Sequence, residues 1–497
     1  MFLKAATLSV LLGIANAQTW KDLPGSLYGP SEPWGFAPEA SWPPTTEIGQ
    51  ELEPQKPDAL TRDIIAQVDQ DSVESIITKL AGFGTRHTLS TQNSSTRGIG
   101  AARDWIYNEM RDYASQGNGS MNVYFNSYIQ PVASRILFPV NITNVIAQIN
   151  GSSDPNRVHI VTAHYDSRRL NVSDYTNDAP GADDDASGVA VVMEMARICA
   201  KQKPKATMIF AAVAGEEQGL YGADHLAKTL KAAGYNVEGN WNVDTVGSGS
   251  NEPFNPINEH TIRVFGASIL SPNISTGSYS STIGTIGGEN DSPHRNLGRF
   301  IAEVAAGASE EVDMQVALIY RLDRFLRGGD HRRFLEQGFP AVRFTEAVEE
   351  FKHQHQDIRV VNGTQYGDTL EFVDFAYTTR VAKVNLATMW SAANAPAMPR
   401  NVTISTNVGF TAADENTPED IVNNLSAFSW VAGSDPLVAG YELVWRVSGA
   451  LQWSHSLDVG NVGNVTVDLS KDSLQFGVRA IGHDGKKSPA VFPFPGQ

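Results

Sequence analysis

Several short apolar runs that lead into a histidine or an acidic residue restrict most strongly what this chain can fold into. Three lie close together: 158–163 leads into His164, 208–213 into Glu216 and Glu217, and 241–243 into Asp244. Each run has the character of a buried β-strand. Because ligands of an α/β sheet collect beyond the carboxyl ends of its strands, we expect these side chains to meet in one pocket.

Helical patterns separate these runs and define a unit from about residue 58 to residue 396. The clearest helical patterns are 187–201, 220–233 and 370–395. Strands that alternate with helices are typical of a sheet that carries helices on its faces. The fold class predicted for residues 58–396 is therefore α/β.

The C-terminal part, residues 397–497, has a different pattern. Its strand candidates, 427–430, 441–446 and 474–481, alternate apolar and polar residues and predict an all-β sandwich domain. The order of a Trp strand, a Gly-Tyr-Glu strand and a Phe-x-Val-x-Ala strand resembles a fibronectin type III module. Phe476 stands where the corner tyrosine of that family is expected.

The N-terminus has the pattern of a secretory signal peptide, residues 1–17. Lys4 supplies the positive charge, an apolar stretch follows, and Ala15-Asn16-Ala17 forms a small-residue cleavage site. No later run approaches the roughly 20 apolar residues of a membrane span, so we expect a secreted protein without a membrane anchor. Residues 18–57 are rich in Pro and Gly and are interpreted as an extended arm or a removable pro-segment.

Glycosylation signals fit a eukaryotic secreted glycoprotein, whereas the cysteine content bears on disulfides and the charge on possible partners. Eleven Asn-x-Ser/Thr sequons are present, at Asn93, Asn118, Asn141, Asn150, Asn171, Asn273, Asn290, Asn362, Asn401, Asn424 and Asn464. The single cysteine, Cys199, cannot form an internal disulfide. The formal net charge of −17 at pH 7 argues against nucleic acid as a partner.

Histidine and acidic residues at these positions are candidate metal ligands. Further candidates are Asp184, in Asp183-Asp184-Asp185, and His353. A set of oxygen and imidazole ligands without cysteine suggests a hydrolytic rather than a structural zinc site. Asp166, two residues beyond His164, is better placed to hydrogen-bond an imidazole than to bind metal.

Four motifs resemble, in order and spacing, the secreted di-zinc aminopeptidases of peptidase family M28: 164–167 (HYDS), 180–188 (PGADDDASG), 214–222 (AGEEQGLYG) and 243–244 (VD). The resemblance covers about residues 58–395. It implies a zinc exopeptidase-type fold, with a mixed, mainly parallel sheet and helices on both faces, that holds two Zn²⁺ per chain. It also implies the site roles: Asp184 bridges the ions, Glu217 and His353 complete one, His164 and Asp244 complete the other, and Glu216 is the general base.

The last ligand could come from either of two histidines. Residues 351–357 (FKHQHQD) contain His353 and His355, whereas the family usually shows one histidine followed four residues later by aspartate. His353 keeps that spacing to Asp357, so we favour His353. Upstream, the segment 327–331 looks like the family's substrate-pocket region and offers Arg327 and His331 as candidate pocket residues.

The function predicted from these features is a secreted, monomeric zinc aminopeptidase acting on peptides with a free N-terminus. Glu216 would take a proton from the activated water and pass it to the leaving amine. A carboxypeptidase is an alternative, and Arg327 or Arg343 is then a candidate for binding the substrate carboxylate. The sequence is also compatible with a glutaminyl-cyclase-like relative, which would work with one zinc, and with a non-catalytic secreted binding protein.

Overall fold

The computed structural model describes residues 48–117, 119–252, 254–268, 282–405, 425–432 and 435–496. The predicted signal peptide, 1–17, and most of the predicted Pro-rich arm lie outside these residues. Within the described ranges, no helix has both the length and the apolar character needed to cross a membrane.

The α/β domain alternates strands and helices. After a two-residue strand, β1 (Gln50–Glu51), its strands are β2 (Met121–Gln130), β3 (Val140–Ile149), β4 (Asp154–His164), β5 (Ala206–Val213), β6 (Asn236–Val243), β7 (Thr261–Gly266), β8 (Gln315–Ile319) and β9 (Ala341–Glu346), followed by a small hairpin, β10 (Arg359–Val361) and β11 (Thr364–Tyr366). Its helices are α1 (Ala59–Ile65), α2 (Gln70–Ala81), α3 (Gly98–Gln116), α4 (Ala186–Cys199), α5 (Glu216–Gly219), α6 (Tyr221–Ala232), α7 (Pro293–Gly307), α8 (Ser309–Val312), α9 (His331–Glu336) and α10 (Phe375–Asn394). The three predicted helices correspond to α4, α6 and α10.

Eight of these strands form one sheet in the order β2-β3-β5-β4-β6-β9-β7-β8. Strands β5, β4, β6 and β9 run parallel in its centre. Strands β2 and β3 join one side by antiparallel pairing, and β7 joins the other side antiparallel to β9 with β8 parallel beyond it. The sheet is therefore mixed and mainly parallel, which confirms the predicted fold class.

Two hydrophobic cores cover the two faces of this sheet. Along β4, Val161 belongs to the larger core, which includes residues of α2, α4 and α10. Its neighbour Ile160 belongs to the smaller core, which includes residues of α6 and α9. Because successive side chains of a strand point to opposite faces, a continuous apolar run is what a strand between two helical layers needs. The strand ends are consequently held between two packed layers.

The C-terminal domain is separate from this sheet, and its described residues form no helix, only strands. They are β12 (Arg400–Ser405), β13 (Leu425–Val431), β14 (Val438–Val447), β15 (His455–Gly460), β16 (Asn464–Asp468), β17 (Leu474–Gly482) and β18 (Phe494–Gly496). Together with β1, they form two four-stranded sheets, β1-β15-β14-β17 and β16-β13-β12-β18. Residues of both sheets share one core, in which the rings of Phe428 and Phe476 lie 4.9 Å apart. The predicted β-sandwich is present, while the fibronectin type III likeness stays a prediction.

The described end of the predicted Pro-rich arm is bound to the C-terminal domain. In β1, Gln50 is paired with Ser456 of β15, and the backbone N–H of Leu52 donates to the backbone oxygen of Ser454 at 2.9 Å. Farther along, the side-chain oxygen of Gln55 accepts from the backbone N–H of Lys487 at 2.9 Å. This segment therefore supplies an edge strand before the chain enters the α/β domain.

Buried ion pairs join the two domains. Asp291, just before α7, accepts from Arg299 at 3.0 Å and from Arg446 of β14 at 2.7 Å. Glu303 of α7 accepts from Arg479 of β17 at 2.7 Å. Breaking one partner of a buried pair costs about 3–5 kcal/mol because it leaves an uncompensated charge. The sandwich is thus docked through specific contacts.

Candidate metal centre

One group of metal-type side chains lies at the ends of two adjacent parallel strands. His164 is the last residue of β4, and Asp244 directly follows β6. His164 Nε2 is 3.1 Å from Asp184 Oδ1 and 3.9 Å from Asp244 Oδ1. All three residues are buried. The prediction that these strand ends converge is confirmed.

A second group shares Asp184 with the first. His355 Nε2 lies 2.8 Å from Asp184 Oδ2 and 2.9 Å from Glu217 Oε1. The two oxygens of Asp184 therefore face different groups, as a carboxylate that bridges two ions must. Burial lowers the pKa of His355, but Glu217 and Asp184 outweigh this effect and raise the pKa to about 10. The site therefore strongly favours positive charge.

The preference for His353 as the last ligand is wrong in this geometry, and His355 takes its place. The ring of His353 stacks on Phe372 with ring centres 3.5 Å apart, and it lines a separate cavity. Asp357, whose spacing favoured His353, instead accepts from Arg169 at 2.7 Å. His355 has a positive φ of 58°, a turn conformation that carries its ring to Asp184.

Asp166 is buried directly behind the two glutamates. Its carboxylate accepts the backbone N–H groups of Gly215, Glu216 and Glu217 at 2.9, 3.2 and 3.2 Å. The Nδ1 atom of His164 contacts the backbone oxygen of Asp166 at 3.1 Å, whereas its distance to the carboxylate is 3.6 Å. Asp166 thus holds the imidazole through its main chain, and its side chain fixes the glutamate loop.

Glu216 belongs to neither ligand group but lines the same pocket. It begins α5 directly after Gly215, whose φ of 78° lies in the left-handed region that glycine adopts freely. Burial raises the pKa of Glu216 well above its usual range, and the nearby Glu217 and Asp244 carboxylates add to this effect against His164. A carboxylate held beside the ligands, with a raised affinity for protons, suits proton transfer.

Asp185 aligns the strand ends around the site. Its Oδ1 accepts the backbone N–H of Gly188 at 3.0 Å, which caps α4, and that of Thr245 at 3.1 Å. Its Oδ2 accepts the backbone N–H of His164 at 3.1 Å. One side chain therefore ties β4, α4 and the residue after Asp244 together, which fixes the positions from which the ligands project.

The residues present fit metal ions. In each group, His164-Asp184-Asp244 and Asp184-Glu217-His355, the candidate ligand atoms all lie within 4.8 Å of one another. Glu217 Oε1 is buried and has no hydrogen bond among the described residues, although His355 Nε2 is only 2.9 Å away. Two such atoms, close but not hydrogen-bonded, are arranged as if directed at a common cation. Nitrogen and carboxylate oxygen ligands without sulfur suit zinc in a hydrolytic site.

Comparison with known proteins agrees with this chemistry. The family model described as "Peptidase family M28" matches residues 144–373. A probable zinc metalloprotease of Pyrenophora tritici-repentis is 53% identical over 96% of this chain and 95% of its own length. The chain belongs to peptidase family M28. Another probable zinc metalloprotease, from Leptosphaeria maculans, is 56% identical over 87% of this chain and 96% of its own.

Solved structures resemble the M28 domain at low sequence identity. The LapA aminopeptidase of Legionella pneumophila matches with a TM-score of 0.47 at 16% identity, over 68% of this chain and 78% of its own. Glutaminyl cyclase of Porphyromonas gingivalis matches with a TM-score of 0.42 at 17% identity, over 65% of this chain and 97% of its own.

Three residues around the centre of this M28 zinc metalloprotease were missed as site residues or given another role. Arg343, on β9, donates to Asp244 Oδ1 at 2.6 Å. Arg343 is fully buried, so it is not available to bind a substrate carboxylate. Gln354 donates to Asp184 Oδ2 at 3.0 Å, and Arg168 donates to Glu217 Oε2 at 2.9 Å. Of these contacts, only that of Arg168 was hinted at by the sequence, because this residue directly follows the HYDS motif.

The M28 centre opens into a pocket of about 730 Å³. Acidic residues in its lining are Asp184, Glu216, Glu217 and Asp244, and the arginines in its lining are Arg135, Arg168, Arg324 and Arg327. The predicted pocket residue Arg327 therefore lies in the pocket. His331 is buried, and its Nε2 contacts the backbone oxygen of Leu322 at 2.8 Å.

Proposed function

We propose that this M28 zinc metalloprotease is a secreted aminopeptidase that holds two zinc ions and removes N-terminal residues from peptides. The observation that carries the proposal is the carboxylate of Asp184, whose two oxygens face two separate ligand groups. His164 and Asp244 would complete one zinc ion, and Glu217 and His355 would complete the other. The signal-peptide pattern of residues 1–17 supports secretion.

When bound, zinc supplies Lewis acidity that activates water and polarises a carbonyl oxygen. Glu216 takes the proton from the attacking water and delivers it to the nitrogen of the scissile amide, which leaves as an amine. Asp166 holds the backbone of Glu216 in place during this transfer. Arg343, at 2.6 Å from Asp244, orients that ligand and balances part of its charge.

Aminopeptidase action is supported by the position of the one lining carboxylate that belongs to neither ligand group. Asp184, Glu217 and Asp244 would be engaged by the zinc ions, whereas Glu216 lies beside the reacting centre, where its negative charge can attract the cationic N-terminus of a peptide. A carboxypeptidase is the second candidate because guanidinium groups, including that of Arg327, also line the pocket and could bind a substrate carboxylate.

The deciding experiment combines metal content with substrate blocking. Zinc per chain is measured by plasma mass spectrometry, and leucine release is measured from Leu-Gly-NH₂ and from its benzyloxycarbonyl-blocked form. We expect about two zinc ions and cleavage of the unblocked peptide alone. Glu216→Gln should retain zinc but lose at least about a hundredfold in kcat, the scale of a lost general base. Asp104→Asn is a matched control, because Asp104 is exposed and, within the described ranges, its ion pair is with its neighbour Arg103 alone.

Each other result rejects a part of the proposal. Cleavage of benzyloxycarbonyl-Leu-Gly, which has a free C-terminus, together with failure on Leu-Gly-NH₂ would establish a carboxypeptidase. About one zinc ion and ring closure of an N-terminal glutamine would establish a cyclase. Absence of zinc from the secreted protein would reject an enzyme of this class and leave a binding function.

A further inference from the structure

The arginines of the metal pocket point to a binding site that the metal chemistry does not use. Four guanidinium groups line a pocket in a protein whose formal net charge is −17. Of the four lining carboxylates, Asp184, Glu217 and Asp244 are candidate ligands, and Glu216 is the proposed base. No further acidic residue of the described chain lines this pocket to neutralise the arginines from inside.

Arg135 is the guanidinium with most bonding capacity to spare. It lies in the loop between β2 and β3, is exposed, and donates from Nη1 to the backbone oxygen of Glu217 at 2.9 Å. Arginine has five N–H donors. In the described ranges, no carboxylate forms an ion pair with Arg135. The contact to Glu217 therefore holds this side chain at the pocket with most of its donors unengaged.

Arg327 brings a second charge to the pocket from the loop before α9. Its Nη1 donates to Gln354 at 3.2 Å and lies 3.4 Å from Glu349. Glu349 also pairs with Arg324 and, at 3.5 Å, with Arg263. Arg324 has a second carboxylate partner in Asp323 at 2.9 Å. Arg327, whose side chain is 32% exposed, pairs among the described residues with the shared Glu349 alone, so its charge is incompletely balanced.

Such guanidinium groups match a carboxylate. Arginine binds carboxylates through parallel N–H donors, and these charge-assisted bonds are about twice as strong as neutral ones. The pocket volume of about 730 Å³ lies within the range that encloses small-molecule ligands. A dipeptide or tripeptide that fills it would carry its terminal carboxylate into the pocket, next to the arginines.

We propose that Arg135, assisted by Arg327, binds a carboxylate of the substrate beyond the scissile bond. The favoured substrates are then short peptides with a free C-terminus, or peptides with an acidic residue after the cleaved bond. This inference rests on the proposed peptidase function for the position of the carboxylate, whereas carboxylate binding itself does not depend on turnover.

Four dipeptide substrates distinguish the two sources of the carboxylate. Leu-Gly is compared with Leu-Gly-NH₂ for a terminal carboxylate, and Leu-Glu-NH₂ with Leu-Gln-NH₂ for a side-chain carboxylate. In the wild type, we expect kcat/KM to be about tenfold higher for the charged member of at least one pair, the ratio that about 1.4 kcal/mol produces. Arg135→Gln should reduce that ratio to about one, mainly through KM, and Arg327→Gln should reduce it partly.

The control is Arg111→Gln, which removes the same charge from the exposed face of α3, outside the pocket lining. It should leave the ratio unchanged. Arg135→Lys keeps the charge but loses the planar fork, so it should recover only part of the preference. Equal kcat/KM within both pairs, or a preference that both glutamine variants retain, would overturn the inference.

Binding to an inactive variant separates this inference from the proposed function. Calorimetric titration of zinc-loaded Glu216→Gln with each of the four peptides measures affinity without turnover. If the wild type cleaves no peptide but Leu-Gly still binds about tenfold more tightly than Leu-Gly-NH₂, the peptidase proposal fails and the carboxylate site stands. If peptides are cleaved and affinities are equal within both pairs, the carboxylate site fails and the peptidase proposal stands.

Discussion

Replacing Asp166 by asparagine should loosen the loop that presents both catalytic-site glutamates. In the wild type, Oδ1 accepts from Gly215 and Glu216, while Oδ2 accepts from Glu217 and from the hydroxyl of Thr88 at 3.0 Å. Asparagine offers one oxygen and one NH₂ group. In the orientation that keeps the bonds from Gly215 and Glu216, these two bonds become neutral and the NH₂ group faces the N–H of Glu217, so that bond is lost. The hydroxyl of Thr88 must then accept from the NH₂ group instead of donating.

The magnitude follows from these bonds. A hydrogen bond to a charged group contributes about 1.5–3 kcal/mol, and neutral bonds are roughly half as strong. We therefore expect Asp166→Asn to lower the free energy of unfolding by about 3 kcal/mol. Removing partners that orient metal ligands typically costs about 10–100-fold in metal affinity, so zinc at Glu217 should weaken by that factor.

Three measurements check this expectation: urea unfolding followed by tryptophan fluorescence, zinc affinity by competition with a chelator, and kcat on Leu-Gly-NH₂. The control is Asp104→Asn, which alters an exposed ion pair and should change stability by less than about 1 kcal/mol. If Asp166→Asn unfolds like the control and retains wild-type zinc affinity, the carboxylate does not hold the loop and the reasoning is refuted.

Two further predictions concern histidines. His355→Ala should lower the zinc content from about two to about one per chain, with loss of activity. His353→Ala should retain both ions, because the ring of His353 stacks on Phe372. The opposite pattern of zinc content by mass spectrometry would restore His353 as the ligand. Burial lowers the pKa of His294 to about 3, so the neutral form is favoured in the folded protein. Because the unfolded chain takes up a proton near pH 6.5, the contribution of His294 to the free energy of unfolding is full above about pH 6.5 and declines as the pH falls toward 3. Between pH 6.5 and 5, this linkage should lower the free energy of unfolding by about 2 kcal/mol in the wild type. Urea unfolding at the two pH values should show that His294→Leu lacks this loss. An equal loss in both proteins would contradict the prediction.

The elements that the sequence predicted well were those with a periodic signal. Apolar runs flanked by helical patterns marked β4, β5 and β6, and the residues at their ends proved to lie together because parallel strands end at one edge. The ligand on the long loop after β9 was not predictable in this way. The spacing to Asp357 favoured His353, and only the backbone turn at His355 brings the other histidine to Asp184.

Contacts between distant segments were also beyond the sequence. Arg343 occupies an ordinary position in a buried strand, and nothing in its local pattern shows that it faces Asp244, which is 99 residues away. Asp166 was correctly placed near an imidazole, but the backbone N–H groups that its carboxylate accepts come from another strand end. A two-residue strand such as β1 has no periodicity at all, so its pairing with β15 could not be predicted.

The pairing of β1 with β15 determines when the N-terminal segment can fold during synthesis. Gln50 emerges from the ribosome early, but its partner Ser456 follows more than 400 residues later. Contacts of such sequence separation form late, because the intervening chain must first be ordered. Residues 50–55 should therefore become resistant to proteases only when β14 and β15 have formed. Protease resistance at the beginning of the described chain then reports that the C-terminal domain has folded.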